Sequence, residues 1–172
     1  QVYLFITLDK EMITNDNWIY FPNKEIPFGR VTEMKNFSKD MSPKDKTSLL
    51  VEFFVTEGDS IWNLDKKDTF NLAMKHFENL KLFSKKEVRN YYVFKKEYVY
   101  PIYDLHYPKY LKIIKNYLDK FENLFYIGRP GRFQYTNQDH SLEMGILAAR
   151  SIIENKKYDL DDVGSEKKYF ER

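Results

Sequence analysis

The 172-residue chain contains no cysteine, and that single absence excludes disulfides, thiolate-ligated zinc and thiol catalysis. Histidine is nearly as scarce. Only His76, His106 and His140 occur, and no two share a ligand-like spacing, so no metal site is expected. Neither charge dominates: 28 Lys+Arg face 26 Asp+Glu, and a formal net charge of +2 gives no reason to expect nucleic acid or an acidic membrane as partner. No apolar run approaches the length of a transmembrane segment, and Val2-Tyr3-Leu4-Phe5-Ile6 opens on a strand pattern rather than a signal peptide. A soluble, reducing, cytoplasmic setting is the expectation. Internal repeats and low-complexity tracts are also missing.

What is present is a core. Hydrophobic residues make up 42% and aromatic residues 17% of the chain, which is enough to fold one compact domain, or one with an appendage, and not a disordered composition. The chain starts at Gln1 and enters a strand with no preceding cap, which points to the C-terminal part of a larger polypeptide.

Val2 to Leu8 is apolar on both faces, as in a central strand covered on both sides. Asp9 to Asn17 reads as a turn or hairpin connection. Trp18 to Phe21 is a second strand stopped by Pro22, and Val31 to Met34 follows Pro27-Phe28-Gly29-Arg30. Thr47 to Thr56 is the clearest strand, dense in β-branched and aromatic residues. Glu52 in its middle would be costly if buried without a partner; on an alternating strand it faces water. Asp65 caps a helix with Phe70, Ala73, Met74, Phe77 and Leu80 on one face and His76 off it. Val88 to Tyr100 is one long bent strand or a hairpin. Pro108 opens a helix carrying Leu111, Ile114, Tyr117, Leu118 and Phe121 on one face.

The stretch from Asn123 to Ile153, NLFYIGRPGRFQYTNQDHSLEMGILAARSII, concentrates the functional signals. Leu124-Phe125-Tyr126-Ile127 has strand chemistry, and Leu142, Gly145, Ile146, Ala149, Ile152 and Ile153 have helical period. Between them Gly128, Arg129, Gly131, Arg132, Phe133 and Tyr135 form a polar loop, and Asn137-Gln138-Asp139 supplies helix caps. The first turn of a helix offers unpaired N–H groups and a positive dipole end, which attract an electron-rich ligand edge. Gly128 and Gly131, without Cβ atoms, allow a close approach to the backbone. Polar residues from Glu154 end that helix, and Tyr158 to Arg172 is a charged tail, either frayed or docked through Tyr169-Phe170.

At these residues the sequence resembles the C-terminal FAD-binding segment of the flavin amine oxidase superfamily, and most of all its protoporphyrinogen-oxidase-like and UDP-galactopyranose-mutase-like branch. The carrying features are Gly-Arg, the pair Phe133 and Tyr135, Asn137, Asp139 and His140, and the helix with Gly and Ala-Ala. Trp18 to Ser38 and Gly164 to Glu171 resemble the same branch. The resemblance implies an α+β fold: an antiparallel or mixed sheet with flanking helices over 1–122, then over 123–156 a strand, loop and helix that would complete an FAD-binding domain, and a tail over 157–172.

By the same resemblance, Gly128, Arg129 and Gly131 lie near the FAD pyrophosphate and ribityl chain. The backbone at Asn137, Gln138, Asp139 and His140 faces the flavin ring. Arg30, Arg132 and Tyr135 contact a small-molecule or sugar-nucleotide substrate. Arg30 has a competing role as a surface arginine paired with Glu33 or Glu25, and His140 serves as a local hydrogen-bond partner rather than a general base. The family's G-x-G-x-x-G fingerprint is absent, since Gly29, Gly58 and Gly164 stand alone. The implied partner is therefore a missing N-terminal dinucleotide-binding domain, and the isolated chain is expected to bind FAD weakly or not at all. A UDP-sugar mutase, a non-catalytic interaction domain and a homo-oligomer stay open.

Overall fold

The computed structural model describes residues 1–164; Tyr169-Phe170 and all but the first residue of the Gly164 to Glu171 match lie outside the described residues. The chain separates into two compact units, Gln1–Glu97 and a second beginning at Tyr98. The helix opened by Pro108 thus belongs with the C-terminal elements.

The first unit is α+β. Five antiparallel strands, β1 (Val2–Leu8), β2 (Trp18–Tyr20), β3 (Arg30–Glu33), β4 (Thr47–Phe53) and β5 (Val88–Lys95), form one sheet in the order β2-β3-β4-β1-β5. Helix α1 (Lys66–Asn79) starts where Asp65 accepts a hydrogen bond from the Asp68 N–H at 2.7 Å, as an N-cap side chain does. Its Phe70, Ala73, Met74 and Phe77 are buried with Leu4, Ile6, Val51 and Phe53 in one core, while Leu80, past the last helical residue, is exposed. His76 is half-buried, edge-on to Phe28 at 6.1 Å, rather than turned to water.

Only one sheet face is packed in this way. Val2, Leu4, Ile6 and Leu8 of β1 are buried while Tyr3, Phe5 and Thr7 are half-buried, so the expectation of a strand covered on both sides fails. An antiparallel sheet commonly keeps one face open. The segment Val88 to Tyr100 resolves as a single strand ending at Lys95, because Tyr98 takes a left-handed φ of 53° that leaves the ladder.

Glu33 is 1% exposed. Its carboxylate accepts from the Ile13 and Thr14 N–H groups at 2.9 and 2.8 Å and from Thr47 Oγ1 at 2.6 Å. These bonds tie the Asp9 to Asn17 connection to the sheet and occupy one of the two carboxylates, Glu33 and Glu25, expected as partners for Arg30.

In the second unit, α2 (Tyr107–Leu118), the short α3 (Gly128–Arg132) and α4 (Gln138–Ile153) carry the chain. The expected strand at Leu124 to Ile127 does not form. Its backbone would need a neighbouring ladder, and no strand exists among the described residues of this unit. Pro108 is the second residue of α2 rather than the first, and none of the helix's residues is buried. No helix among the described residues is long and apolar enough to cross a membrane.

Candidate functional site

Strand register builds the first candidate surface. Tyr20, Arg30, Glu52, Tyr3 and Phe94 are directly opposite one another across the five strands and so lie in one row, with Trp18, Thr32, Leu50, Phe5 and Tyr92 in the next. This is the sheet face away from α1. Trp18, Tyr20, Tyr92 and Phe94 are exposed on it, and Tyr3 stacks on Phe94 with centroids 4.9 Å apart.

Glu52 forms the floor of the row. At 3% exposure it does not face water, because Arg30 neutralises it: Nη2 donates to Oε1 at 2.8 Å and Nε to Oε2. Gln1 Nε2 adds a third bond at 3.2 Å. The same carboxylate fixes the guanidinium plane. Arg30 lies 5.9 Å from both the Trp18 and Tyr20 ring centroids, and its Nη1 is turned to the Tyr20 hydroxyl at 3.4 Å. The sequence marked Arg30 and Glu52 separately and missed their pairing and the aromatic row; a buried-looking carboxylate in an apolar strand was the signal that a cation had to be found.

The second candidate surface is the amino end of α4. Asn137 is its N-cap, closed as a capping box in which the Asn137 side chain accepts from the N3 amide and His140 Nδ1 accepts from the Asn137 N–H at 3.1 Å. His140 is thus a local hydrogen-bond partner, and its ring packs where a Cβ on Gly164 would stand 3.0 Å from Nδ1. The Gln138 amide, at the first helical position, has no intrahelical acceptor by geometry. Just before the cap, Gln134 Oε1 and Thr136 Oγ1 are buried with no hydrogen-bond partner among the described residues. Tyr135 between them is exposed, its N–H donated to the Tyr103 hydroxyl at 2.6 Å and its ring stacked on Tyr100 at 5.5 Å.

The remaining loop residues are engaged within the chain. Gly128 has φ +73° and donates its N–H to Met144 Sδ at 3.3 Å. Arg129 gives Nε and Nη2 to the Thr136 carbonyl at 2.9 and 2.5 Å and Nη1 to the Val99 carbonyl at 3.4 Å, and lies against the Tyr100 and Tyr135 rings. Gly131 uses its missing Cβ against its own chain: a Cβ there would stand 3.2 Å from the Tyr126 carbonyl carbon. That close approach was expected to serve a ligand; the Tyr126 backbone fills it.

Arg132 is buried, ion-paired to Asp161 and 4.5 Å from the Tyr126 ring centroid, and it lines a cavity of about 250 Å³ with Phe125, Tyr126 and Tyr158. Lys115 joins the same carboxylate at 2.6 Å. Burial opposes ionisation of Asp161, but the Lys115 and Arg132 hydrogen bonds outweigh it and hold its pKa below the ordinary value.

An antiparallel sheet backed by a helix, followed by a helical unit with a capped amino end, defines an α+β fold that recurs among solved structures. The chain superposes over 97% of its length on a crystal structure of reduced UDP-galactopyranose mutase, with a TM-score of 0.76 and 20% sequence identity. It spans 36% of that mutase's chain. No family model and no curated protein matches the sequence. The likeness establishes a shared fold.

Proposed function

We propose that this chain is the C-terminal part of a flavin-dependent enzyme, of the amine oxidase and protoporphyrinogen oxidase kind, with the open sheet face turned to substrate and the amino end of α4 turned to the flavin. The observation that carries this reading is the α4 end, in a fold shared with UDP-galactopyranose mutase: a first-turn amide with no intrahelical acceptor and, two residues before it, a buried Thr136 hydroxyl with no partner among the described residues. Groups left without partners among the described residues are what a ligand edge would satisfy.

The residues fit the ring end of FAD and not its adenosine end. FAD, when bound, supplies the redox-active ring. Toward it the chain contributes the Gln138 amide and the positive end of the α4 dipole, which stabilise negative charge on the facing edge. The Asn137–His140 capping box fixes the first turn from which Gln138 and Asp139 project. Gly128, Arg129 and Gly131 act by holding the loop in place. Nothing here cradles the adenosine pyrophosphate, since no G-x-G-x-x-G is present, so the isolated chain binds FAD weakly or not at all and is not competent in catalysis.

Arg30 is the anchor proposed for substrate. Its plane is set by Glu52, and its neighbours Trp18 and Tyr20 offer rings for stacking. An arginine beside exposed aromatics suits a phosphorylated, base-bearing substrate, and this arrangement speaks for a nucleotide-sugar.

The test is the absorption spectrum of the isolated chain and of the complete reading frame that encodes it, each mixed with FAD. Stoichiometric flavin on the complete protein and little on the chain is expected; a complete protein that takes up no flavin refutes the proposal. Titrating UDP-sugars onto the reduced complete protein then separates a mutase from an oxidase or desaturase.

A further inference from the structure

The open sheet face continues past the rows that hold Arg30 and Trp18. A third row consists of Ser48 of β4, Thr7 of β1 and Asn90 of β5. It lies four residues along the strands from Glu52, Tyr3 and Phe94, which is about 14 Å at a rise of about 3.4 Å per residue. With Phe5 below and Met41 and Pro43 beside it, this row lines a cavity of about 390 Å³, a volume in the range of small-molecule sites. Lys46 and Arg89 line the same cavity, and no Asp or Glu among the described residues does.

Two local devices bring the cations there. Strand β5 pairs Asn90 with Thr7 and then Val88 with Leu8, so Arg89 is the extra residue of a β-bulge, a distortion that re-aims a side chain. Thr7 Oγ1 bridges the break, accepting from the Asn90 N–H at 3.1 Å and donating to the Asn90 carbonyl at 3.3 Å. On the other side, the Lys35 ammonium donates to the carbonyls of Glu11, Pro43, Lys44 and Lys46 at 3.0, 3.2, 2.6 and 3.1 Å. These bonds hold the wall and the Lys46 backbone in place before any ligand arrives, which lowers the cost of binding one. Lys46 and Arg89 then converge on a single oxygen, Asp9 Oδ1, at 3.0 and 3.5 Å.

The chain leaves polar groups of this cavity unused. Ser48 is 6% exposed, and its hydroxyl has no hydrogen-bond partner among the described residues. Arg89 reaches Asp9 through Nη1, and its Nε and Nη2 have no partner among the described residues. Two cations without a lining carboxylate select an anion, and the free side of a guanidinium fork suits phosphate. The Ser48 hydroxyl and the Asn90 amide each donate and accept, which matches the hydroxyls of a sugar or polyol, while Phe5 and Met41 cover its carbon skeleton.

The geometry points to a binding site for the phosphate ester of a small sugar or polyol, separate from the Arg30 anchor and independent of the flavin reading. Because every residue of the site lies in the first unit, the chain itself is the sample. Glucose 6-phosphate, glucose and inorganic phosphate are titrated onto it, with amide NMR shifts giving both the location and the affinity. Glucose 6-phosphate should shift the Thr7, Ser48, Arg89 and Asn90 amides and bind at least about tenfold tighter than glucose or phosphate alone. Arg89→Gln should weaken it by about tenfold and Ser48→Ala by about threefold. Lys67→Gln, the same change of charge at an exposed position of α1, should leave it unchanged. Lys46→Gln repeats the measurement if Arg89→Gln disturbs the bulge.

No shifts up to about 10 mM glucose 6-phosphate overturn the proposal, as do shifts confined to other residues or an Arg89→Gln affinity equal to that of Lys67→Gln. Inorganic phosphate binding as tightly as glucose 6-phosphate overturns the sugar half of the assignment, and glucose doing so overturns the phosphate half. None of these outcomes depends on flavin uptake by the complete protein, so this proposal and the flavin reading fail separately.

Discussion

Replacing Arg30 with methionine keeps most of the aliphatic stem and removes the charge that faces Glu52. The Glu52 side chain is 5% exposed and that of Arg30 21%. Without Arg30 the carboxylate keeps only the Gln1 Nε2 hydrogen bond at 3.2 Å. Removing one partner of a buried pair costs about 3–5 kcal/mol, and the partial exposure of Arg30 puts the expectation near the lower end, about 3 kcal/mol. The double variant Arg30→Met/Glu52→Leu removes both charges, and substitutions of that kind are neutral or stabilising by about 1–4 kcal/mol. A double-mutant cycle should therefore show coupling of about 3 kcal/mol.

Urea unfolding followed by tryptophan fluorescence measures it, because Trp18 and Trp62 are the only tryptophans and both lie in the first unit. A loss below about 1 kcal/mol for Arg30→Met, or a double variant no more stable than the single one, refutes the buried-pair argument. If Arg30 also anchors substrate, the double variant of the complete protein folds and loses substrate affinity.

Glu33→Ala removes the acceptor for Ile13, Thr14 and Thr47; a destabilisation of at least about 1.5–3 kcal/mol is expected, with fast hydrogen exchange at the Ile13 and Thr14 amides as the readout. Because the Asp161 pKa is lowered in the folded chain, its stabilising contribution is complete above the unfolded carboxyl value of about 3.9 and fades as pH falls through the folded value. Asp161→Asn should thus speed hydrogen exchange in α2 at neutral pH and flatten its acid dependence. Gly131→Ala forces a Cβ to within 3.2 Å of the Tyr126 backbone and should cost about 1–3 kcal/mol in thermal or urea unfolding. Gly145→Ala meets open space and should stabilise the isolated chain by about 0.5–1 kcal/mol.

Local features of the fold were legible in the sequence where local chemistry decides them. Asp65 and the Phe70-Ala73-Met74-Phe77 spacing fixed α1 within a residue, and the cap residues Asn137 and Asp139 bracketed the start of α4, of which Asn137 is the N-cap. Relations between distant residues were not legible. Arg30 meets Glu52 only because β3 lies beside β4 in a particular register, and no spacing rule announces that. The strand chemistry of Leu124 to Ile127 was misleading, because a strand depends on neighbours that these described residues do not supply. Periodicity found the Leu142-Ile146-Ile153 stripe of α4 but could not say what it packs against. Nor does the presence of glycine say whether the space it leaves is for a ligand or, as at Gly131, for the chain itself.

The most direct test of the central claim is the reduction potential of the flavin in the complete protein carrying Gln138→Pro. Proline is well tolerated at the first helical position, and Asn137 before it is already extended, at φ −86° and ψ −179°, so the substitution deletes one N–H and leaves the helix. Losing a hydrogen bond worth about 1.5–3 kcal/mol to the reduced, negatively charged ring lowers a two-electron potential by about 30–65 mV. A potential that does not move, with helix content and bound flavin retained, would contradict the assignment of the α4 amino end to the flavin.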